Sequence, residues 1–245
     1  MEHRSIRKYK SDPIPEGIMQ EILEAGTRAS NTGNMQVYSI IVTQSPEVKE
    51  QLAPCHFNQP MVKEAPAVLT FCADINRFSQ WCQQRQAKPG YDNLLWFCNG
   101  TIDAMLAAQN VCIAAEAHGL GICYLGTTLY TASRIVEVLR LPKGVMPITT
   151  VTVGYPAEQP LLTDRLPLRG IVHSERYDNY STTDIDQIYA AKEQLPLTQR
   201  LLAENDKQTL AQVFTDKRYP HADNLAFSCS LIEVLEQQGF MNHDE

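Results

Sequence analysis

The chain lacks any Cys-x-x-Cys pair. Its seven cysteines (Cys55, Cys72, Cys82, Cys98, Cys112, Cys123 and Cys229) are odd in number and widely scattered, which disfavours a structural zinc site and a disulfide framework. Four of them, Cys72, Cys98, Cys112 and Cys123, sit among apolar neighbours and are expected to behave as small core residues. No apolar run approaches the roughly 20 residues that a membrane-spanning helix needs. The start, Met1-Glu2-His3-Arg4, has neither a secretory hydrophobic region nor a transit peptide, so a cytoplasmic protein is expected. Positive charge is not in excess either: the net charge of −7 argues against bulk binding to nucleic acid or anionic membrane, both of which reward a basic surface. Neither a G-x-G-x-x-G fingerprint nor a Walker sequence occurs, so the common dinucleotide and P-loop folds are excluded. What is present is 245 residues, 44% hydrophobic and 20% charged. A chain of that size buries roughly three quarters of its extended surface on folding and builds a real core.

Apolar residues at helical spacing predict a helix from Pro15 to about Ala29, with Pro13 and Pro15 upstream where they do no harm. Val37–Thr43 and Ala67–Cys72 are β-branched, aromatic and apolar, and read as strands. Between them Ser45 offers an N-cap and Pro46 an N1 proline for a helix through Ala53. The polar stretch from Ile75 to Gly90, ending in Lys88-Pro89-Gly90, reads as an irregular excursion. Asn99–His118 is the strongest helix, dense in alanine and closed by Gly119. Its face of Ala104, Ala107, Ala108, Ala114 and Ala115 fits either a central core helix or a helix packed on a twin in a dimer. A glycine-rich apolar segment to Gly126, a helix near Thr131–Arg140 and a strand Ile148–Tyr155 follow. Beyond about 180 the chain turns polar and helical, with amphipathic stretches near Asp184–Ala203 and Asp223–Gln238. The strands are too few and too irregularly placed for a βαβ array, so an α+β fold is expected, with a core over 1–180 and a helical extension of the same domain over 181–245.

Three constellations could carry chemistry. His3-Arg4-Ser5-Ile6-Arg7-Lys8 gathers three cations, a hydroxyl and an imidazole, a set that suits a phosphate dianion or, equally, a solvated basic arm. Gly119–Thr128 (GLGICYLGTT) is glycine-punctuated and uncharged. Its backbone could approach a flat aromatic ring system, or it is a helix C-cap followed by a strand. Ser30–Gln36 is a polar loop of small donors and acceptors that could ring a heterocycle edge, as polar loops between elements also simply are.

Read jointly, HRSIRK at the start, the polar loop ending in Gln36, FCADINR at 71–77, AAQN at 107–110, GLGICYLGTT at 119–128 and RLP at 165–167 resemble the nitroreductase family in order and spacing. The likeness is to its branch of major oxygen-insensitive nitroreductases and NADPH–flavin oxidoreductases, over about residues 2–240. The resemblance implies an α+β fold with a mixed, mostly antiparallel sheet flanked by helices, and FMN held non-covalently at a homodimer interface. It assigns His3, Arg4 and Ser5 to the phosphate and ribityl side of FMN and Arg7 to the pyrimidine edge. It places Asn31, Thr32, Gly33 and Gln36 in the polar loop near phosphate or ring edge, and Gln59 against the ring. Tyr124, Gly126 and Thr127 fall on the backbone segment over the flavin face, and Arg165 on a second phosphate-binding arginine. NADPH or NADH is the implied electron donor, a small molecule such as a nitroaromatic or quinone the acceptor, and no protein side chain is nominated as catalytic. A flavin reductase, a specialised flavin-dependent dehydrogenase and a non-catalytic FMN-binding redox module share these features. Relatives carry a helix ahead of the HRSIR strand, so a trimmed interface is expected in a chain that begins almost at His3. They also have a lysine where Thr163 stands, and their basic residues for NADPH align only loosely around Lys207.

Overall fold

A computed structural model describes residues 3–243. Four strands make one antiparallel sheet: Tyr38–Thr43 (β1), Ala67–Asp74 (β2), Gly121–Leu125 (β3) and Val145–Gly154 (β4), in the order β1-β2-β4-β3. The central strands β2 and β4 are buried along their whole length, as near-continuous apolar and threonine runs demand when both faces are covered. Ser5 adds a parallel bridge to Ile122 outside β3. The sheet is thus mixed and mostly antiparallel, as the resemblance implies.

Helices cover both faces. Glu16–Thr27 (α1) and Leu94–Ala117 (α5) close over Leu69, Phe71, Val151 and Val153. On the other face Pro46–Leu52 (α2), Met61–Glu64 (α3) and Ala132–Leu139 (α6) bury Leu52, Val62 and Ile135 with Val68, Cys123 and Leu125. The alternation Val68/Leu69 between the two clusters is the two-residue period of a strand. α1 and α5 approach closely because position 26 is glycine: a Cβ there would stand 2.5 Å from Val111 Cγ2. α5 starts on Asn93, whose side chain accepts from the Trp96 N–H (3.3 Å), and ends with Gly119 at φ +74 and the Leu120 N–H on the Ala115 carbonyl (2.9 Å), a left-handed glycine stop.

Two expectations are corrected, and one that the sequence leaves open is narrowed. The excursion from Ile75 to Gly90 contains a helix, Asn76–Gln84 (α4). Asp74 caps it by accepting from the Arg77 N–H (3.2 Å), and Phe78 packs on Trp81 and Tyr91, so the i, i+3 aromatic spacing outweighs the polar composition. The alanine face of α5 turns inward: Ala104, Ala107, Ala108 and Ala115 are fully buried, which favours the core-helix reading of that face. Cys98 is exposed on α5, whereas Cys72, Cys112 and Cys123 are buried.

The chain packs as two compact units. One runs from the N-terminal arm through Leu161 and is rejoined by Phe227 onward; the other is Leu162–Ala226. The second holds Thr182–Glu193 (α7), Pro196–Asn205 (α8) and Leu210–Val213 (α9), with capping boxes at Ser181/Asp184 and Thr209/Gln212. His221–Gln237 (α10) closes the helical series.

Candidate functional site

The basic arm does not float. Ser5 bridges Ile122, the Ile6 N–H donates to the Ile122 carbonyl (2.9 Å), and Tyr9 bridges Pro156. The arm can lie flat on β3 because position 121 is glycine, where a Cβ would meet Ile6 Cγ1 at 2.5 Å. Tyr9 locks it by donating its hydroxyl to the Ile6 carbonyl (2.7 Å) and meeting Thr152 Oγ1 (2.8 Å). Glu158 accepts from the backbone N–H groups of Arg7 (2.6 Å) and Lys8 (3.1 Å), and His3 Nδ1 lies 2.5 Å from Glu116 Oε1. The two acids fix the arm's backbone and its first ring while the Arg7 side chain stays exposed.

β3 runs out into the turn Gly126–Thr128. Thr127 is buried, and its Oγ1 meets Nδ1 of His56 at 2.8 Å. Thr131 Oγ1 donates to the Cys55 carbonyl (2.5 Å). These bonds stitch the turn to the segment 53–59 and hence to Gln59, which is half-buried after two consecutive left-handed residues, Phe57 (φ +53) and Asn58 (φ +55). His56 is fully buried, its Nε2 has no hydrogen-bond partner, and burial pulls its pKa down to about 4. Gly126 faces open space: a Cβ there would meet nothing within 4 Å, and its φ is not in the left-handed range. Nothing in the polypeptide therefore demands glycine at 126, whereas a flat ligand lying on that backbone would. The half-buried Tyr124 sends its ring into the main core, where burial and the Cys112 thiol raise its hydroxyl pKa; its backbone, not its hydroxyl, is available to a ligand.

The polar loop sits at the opposite edge of the sheet, leading into β1. Asn31 Oδ1 accepts from the Gln36 N–H (3.2 Å), and Arg77 donates to the Gln36 carbonyl. Gly33, Asn34 and Gln36 all have left-handed φ of 54–56°, a conformation that glycine and asparagine accept readily and that glutamine adopts when its neighbours enforce it. Asp103 of α5 binds both ends of this loop. The candidates thus form two groups. His3, Arg4, Ser5, Arg7, Tyr124, Gly126, Thr127 and Gln59 gather on the β3 side; Asn31, Thr32, Gly33 and Gln36 gather on the β1 side. Three strand spacings, about 14 Å, separate the two edge strands.

Arg165 lies in the second unit, where its Nη1 donates to Thr163 Oγ1 (2.7 Å) and to the Asp164 carbonyl (2.8 Å). Thr163 therefore holds the arginine that follows it. Lys207, in the same unit, pairs with Asp216 (2.8 Å).

Sequence reasoning missed His56, Asp103, Glu116 and Glu158. Only Asp103 carried a signal: Gly100, Asp103, Ala107 and Val111 share one buried stripe of α5, and an acid in such a stripe must be solvated by something. Among the described residues no cluster of His, Cys, Asp or Glu could hold a metal ion, and no helix is long and apolar enough to cross a membrane.

The family model described as "Nitroreductase family" matches residues 1–155. The chain belongs to the nitroreductase family. It is 30% identical over 249 residues to the FMN reductase [NAD(P)H] of Bacillus subtilis strain 168, covering 98% of this chain and 95% of the relative. Among solved structures, a Bacteroides fragilis NCTC 9343 protein known by a general oxidoreductase description matches at 54% identity and a TM-score of 0.97, with 98% of each chain covered. The NADPH:FMN oxidoreductase of Vibrio harveyi in complex with NAD+ matches at 27% identity and 0.84, covering 98% of this chain and 96% of that one. The shared fold spans 98% of this chain in both of these structures.

Proposed function

We propose that the protein is an FMN-dependent oxidoreductase that uses NAD(P)H to reduce nitroaromatics, quinones or related small acceptors by two-electron ping-pong transfer, acting as a cytoplasmic homodimer. The observation that carries this reading is the turn at Gly126: an unobstructed glycine backbone at the end of β3, beside an ordered basic arm. Bound FMN would supply the redox chemistry, taking a hydride from the nicotinamide and passing the electron pair to the acceptor. The chain's own residues bind and orient. His3, Arg4 and Ser5 would hold the phosphate and ribityl side. Arg7, its backbone fixed by Glu158, would set its guanidinium at the pyrimidine edge and stabilise negative charge there. Gln59 and the backbone of 124–127 would meet the ring, and no acid–base dyad is required.

Two features support a homodimer. Leu95, Cys98, Ile102, Met105, Leu106 and Ile113 form an exposed apolar stripe along the outward face of α5, about 27 Å long at the helical rise; contiguous apolar surface of that extent marks an interaction site. The two groups of candidates also stand at opposite edges of one sheet, so a second copy would supply the loop that completes each arm-side site. Because related proteins are named FMN reductases, free flavin as acceptor at the same site is the second reading.

Anaerobic titration of the yellow holoprotein with NADPH and then NADH tests the proposal. One equivalent of either should bleach each bound flavin, and a nitroaromatic or quinone should restore the colour. Protein that binds no FMN, or bound FMN that neither nucleotide bleaches, would overturn it.

A further inference from the structure

We propose that Asp103 is the positioning residue that holds the 31–37 loop in the conformation in which it meets the flavin. The inference rests on the flavin reading above and concerns a side chain that reading does not use. Asp103 is 1% exposed on the inner face of α5. Its Oδ1 accepts from the Thr32 N–H (2.9 Å) and the Thr32 hydroxyl (3.0 Å), and its Oδ2 accepts from the Val37 N–H (3.3 Å). A single carboxylate thereby ties Thr32 and Val37, near the two ends of the loop, to one point on a helix. Between those ties lie three left-handed residues, Gly33, Asn34 and Gln36, of which Gln36, next to the Val37 tie, has no preference of its own for that conformation and relaxes unless its neighbours hold it.

The three groups facing Asp103 all donate. Only a side chain that is acceptor-only at two oxygens satisfies them together. Asparagine has nearly the same shape but presents one oxygen and one NH2, so it sets a donor against a donor at Thr32 or at Val37. The same helix carries the exposed apolar stripe on its other side. Asp103 therefore fixes the loop relative to the face on which a second copy would dock, which is the geometry a site shared between copies needs.

The test uses Asp103→Asn, with Asp103→Ser as the second variant should the first fail to fold. Amide hydrogen exchange on the flavin-free chain reads the clamp directly. Exchange at Thr32 and Val37 should accelerate about tenfold or more, with the amides of β2 and β4 unchanged. FMN titration should then give a dissociation constant raised by about tenfold or more, the order expected when charge-assisted bonds are lost. At saturating FMN, the visible circular dichroism of the bound flavin should differ from wild type. Unchanged protection at Thr32 and Val37 would overturn the clamp. Accelerated exchange with wild-type FMN affinity and spectrum would show that the loop does not govern the flavin, and would equally overturn the proposal. Failure of the wild-type chain itself to bind FMN would instead remove the flavin reading, and this proposal with it.

Discussion

His56 should make the protein acid-labile in a way that one substitution removes. The ring is fully buried, reaches one partner at Thr127 Oγ1 (2.8 Å), and leaves Nε2 bare. Burial lowers its pKa from 6.5 to about 4, since a charged imidazole there would lose its hydration. In the unfolded chain the same ring takes up a proton near its ordinary pKa. Between pH 6.5 and about 4 the unfolded state therefore binds one more proton than the native state, so stability is fully present above 6.5 and falls as the pH is lowered through that window. The gap of about 2.5 units, at ~1.4 kcal/mol each, amounts to about 3 kcal/mol by pH 4, a large fraction of the ~5–15 kcal/mol that holds a typical domain together.

Urea unfolding of flavin-free wild type and His56→Gln at half-unit intervals from pH 7.5 to 4 measures this. The variant should be less stable at pH 7.5, where it loses packing and a hydrogen bond. Its stability should then fall less steeply on acidification, by up to ~1.4 kcal/mol per pH unit inside the window. Carboxylates with lowered pKa, such as Glu47, held by the Ser45 hydroxyl, and Asp184, held by Ser181, also lose stabilising interactions in acid, but they are common to both proteins and cancel in the difference. Parallel curves would refute the argument and mean that His56 is hydrated or already charged in the native state.

Three further outcomes are expected. Gly126→Ala should leave the stability of the flavin-free chain within ~0.5 kcal/mol, because its Cβ enters open space, yet weaken FMN binding; calorimetry shows whether the two separate. Arg4→Ala and Gln36→Ala subunits, each deficient in FMN as homodimers, should regain binding when unfolded and refolded together, to about a quarter of all sites if each site takes its arm from one copy and its loop from the other; no recovery would place both groups in one copy's site. Arg7→Gln should lower the flavin midpoint potential by about 30 mV for each ~1.4 kcal/mol of differential stabilisation lost, and an unshifted redox titration would leave Arg7 as a solvated cation.

The elements that were legible are those whose signal is local. α5 announced itself by composition, α2 by Ser45-Pro46, and β1 and β2 by β-branched runs. α4 is not legible because its polar residues hide Phe78, Trp81 and Cys82 at i, i+3 and i+4, a period that the two aromatic contacts of Phe78 exploit. The inward turn of the α5 alanines follows from close packing on α1, since Gly26 admits Val111 only where the opposing face is small. A run of alanine says that something approaches closely without saying what.

The candidate site divides along the same line. Its candidate residues are proposed from motifs, which are contiguous. Its supports are not, because each acts across a long separation: His3 on Glu116, Thr32 on Asp103, Arg7 on Glu158, His56 on Thr127. Three of those four supports are acids, and two bind backbone N–H groups, a donor that every residue but proline carries and that no sequence pattern displays. The left-handed residues are hidden for the same reason. Asn34 and Asn58 are residues that tolerate φ near +55, but Gln36 and Phe57 have no intrinsic preference that would reveal it. Their conformations are imposed by distant anchors and would relax without them. The two atypical positions, Gln36 and Phe57, lie at or beside residues that the motifs pick out on both sides of the sheet. The proposed site asks its loops to present backbone groups to a flat ligand, and the support for those loops comes from Asp103 of helix α5 and from the buried imidazole of His56 rather than from local preference.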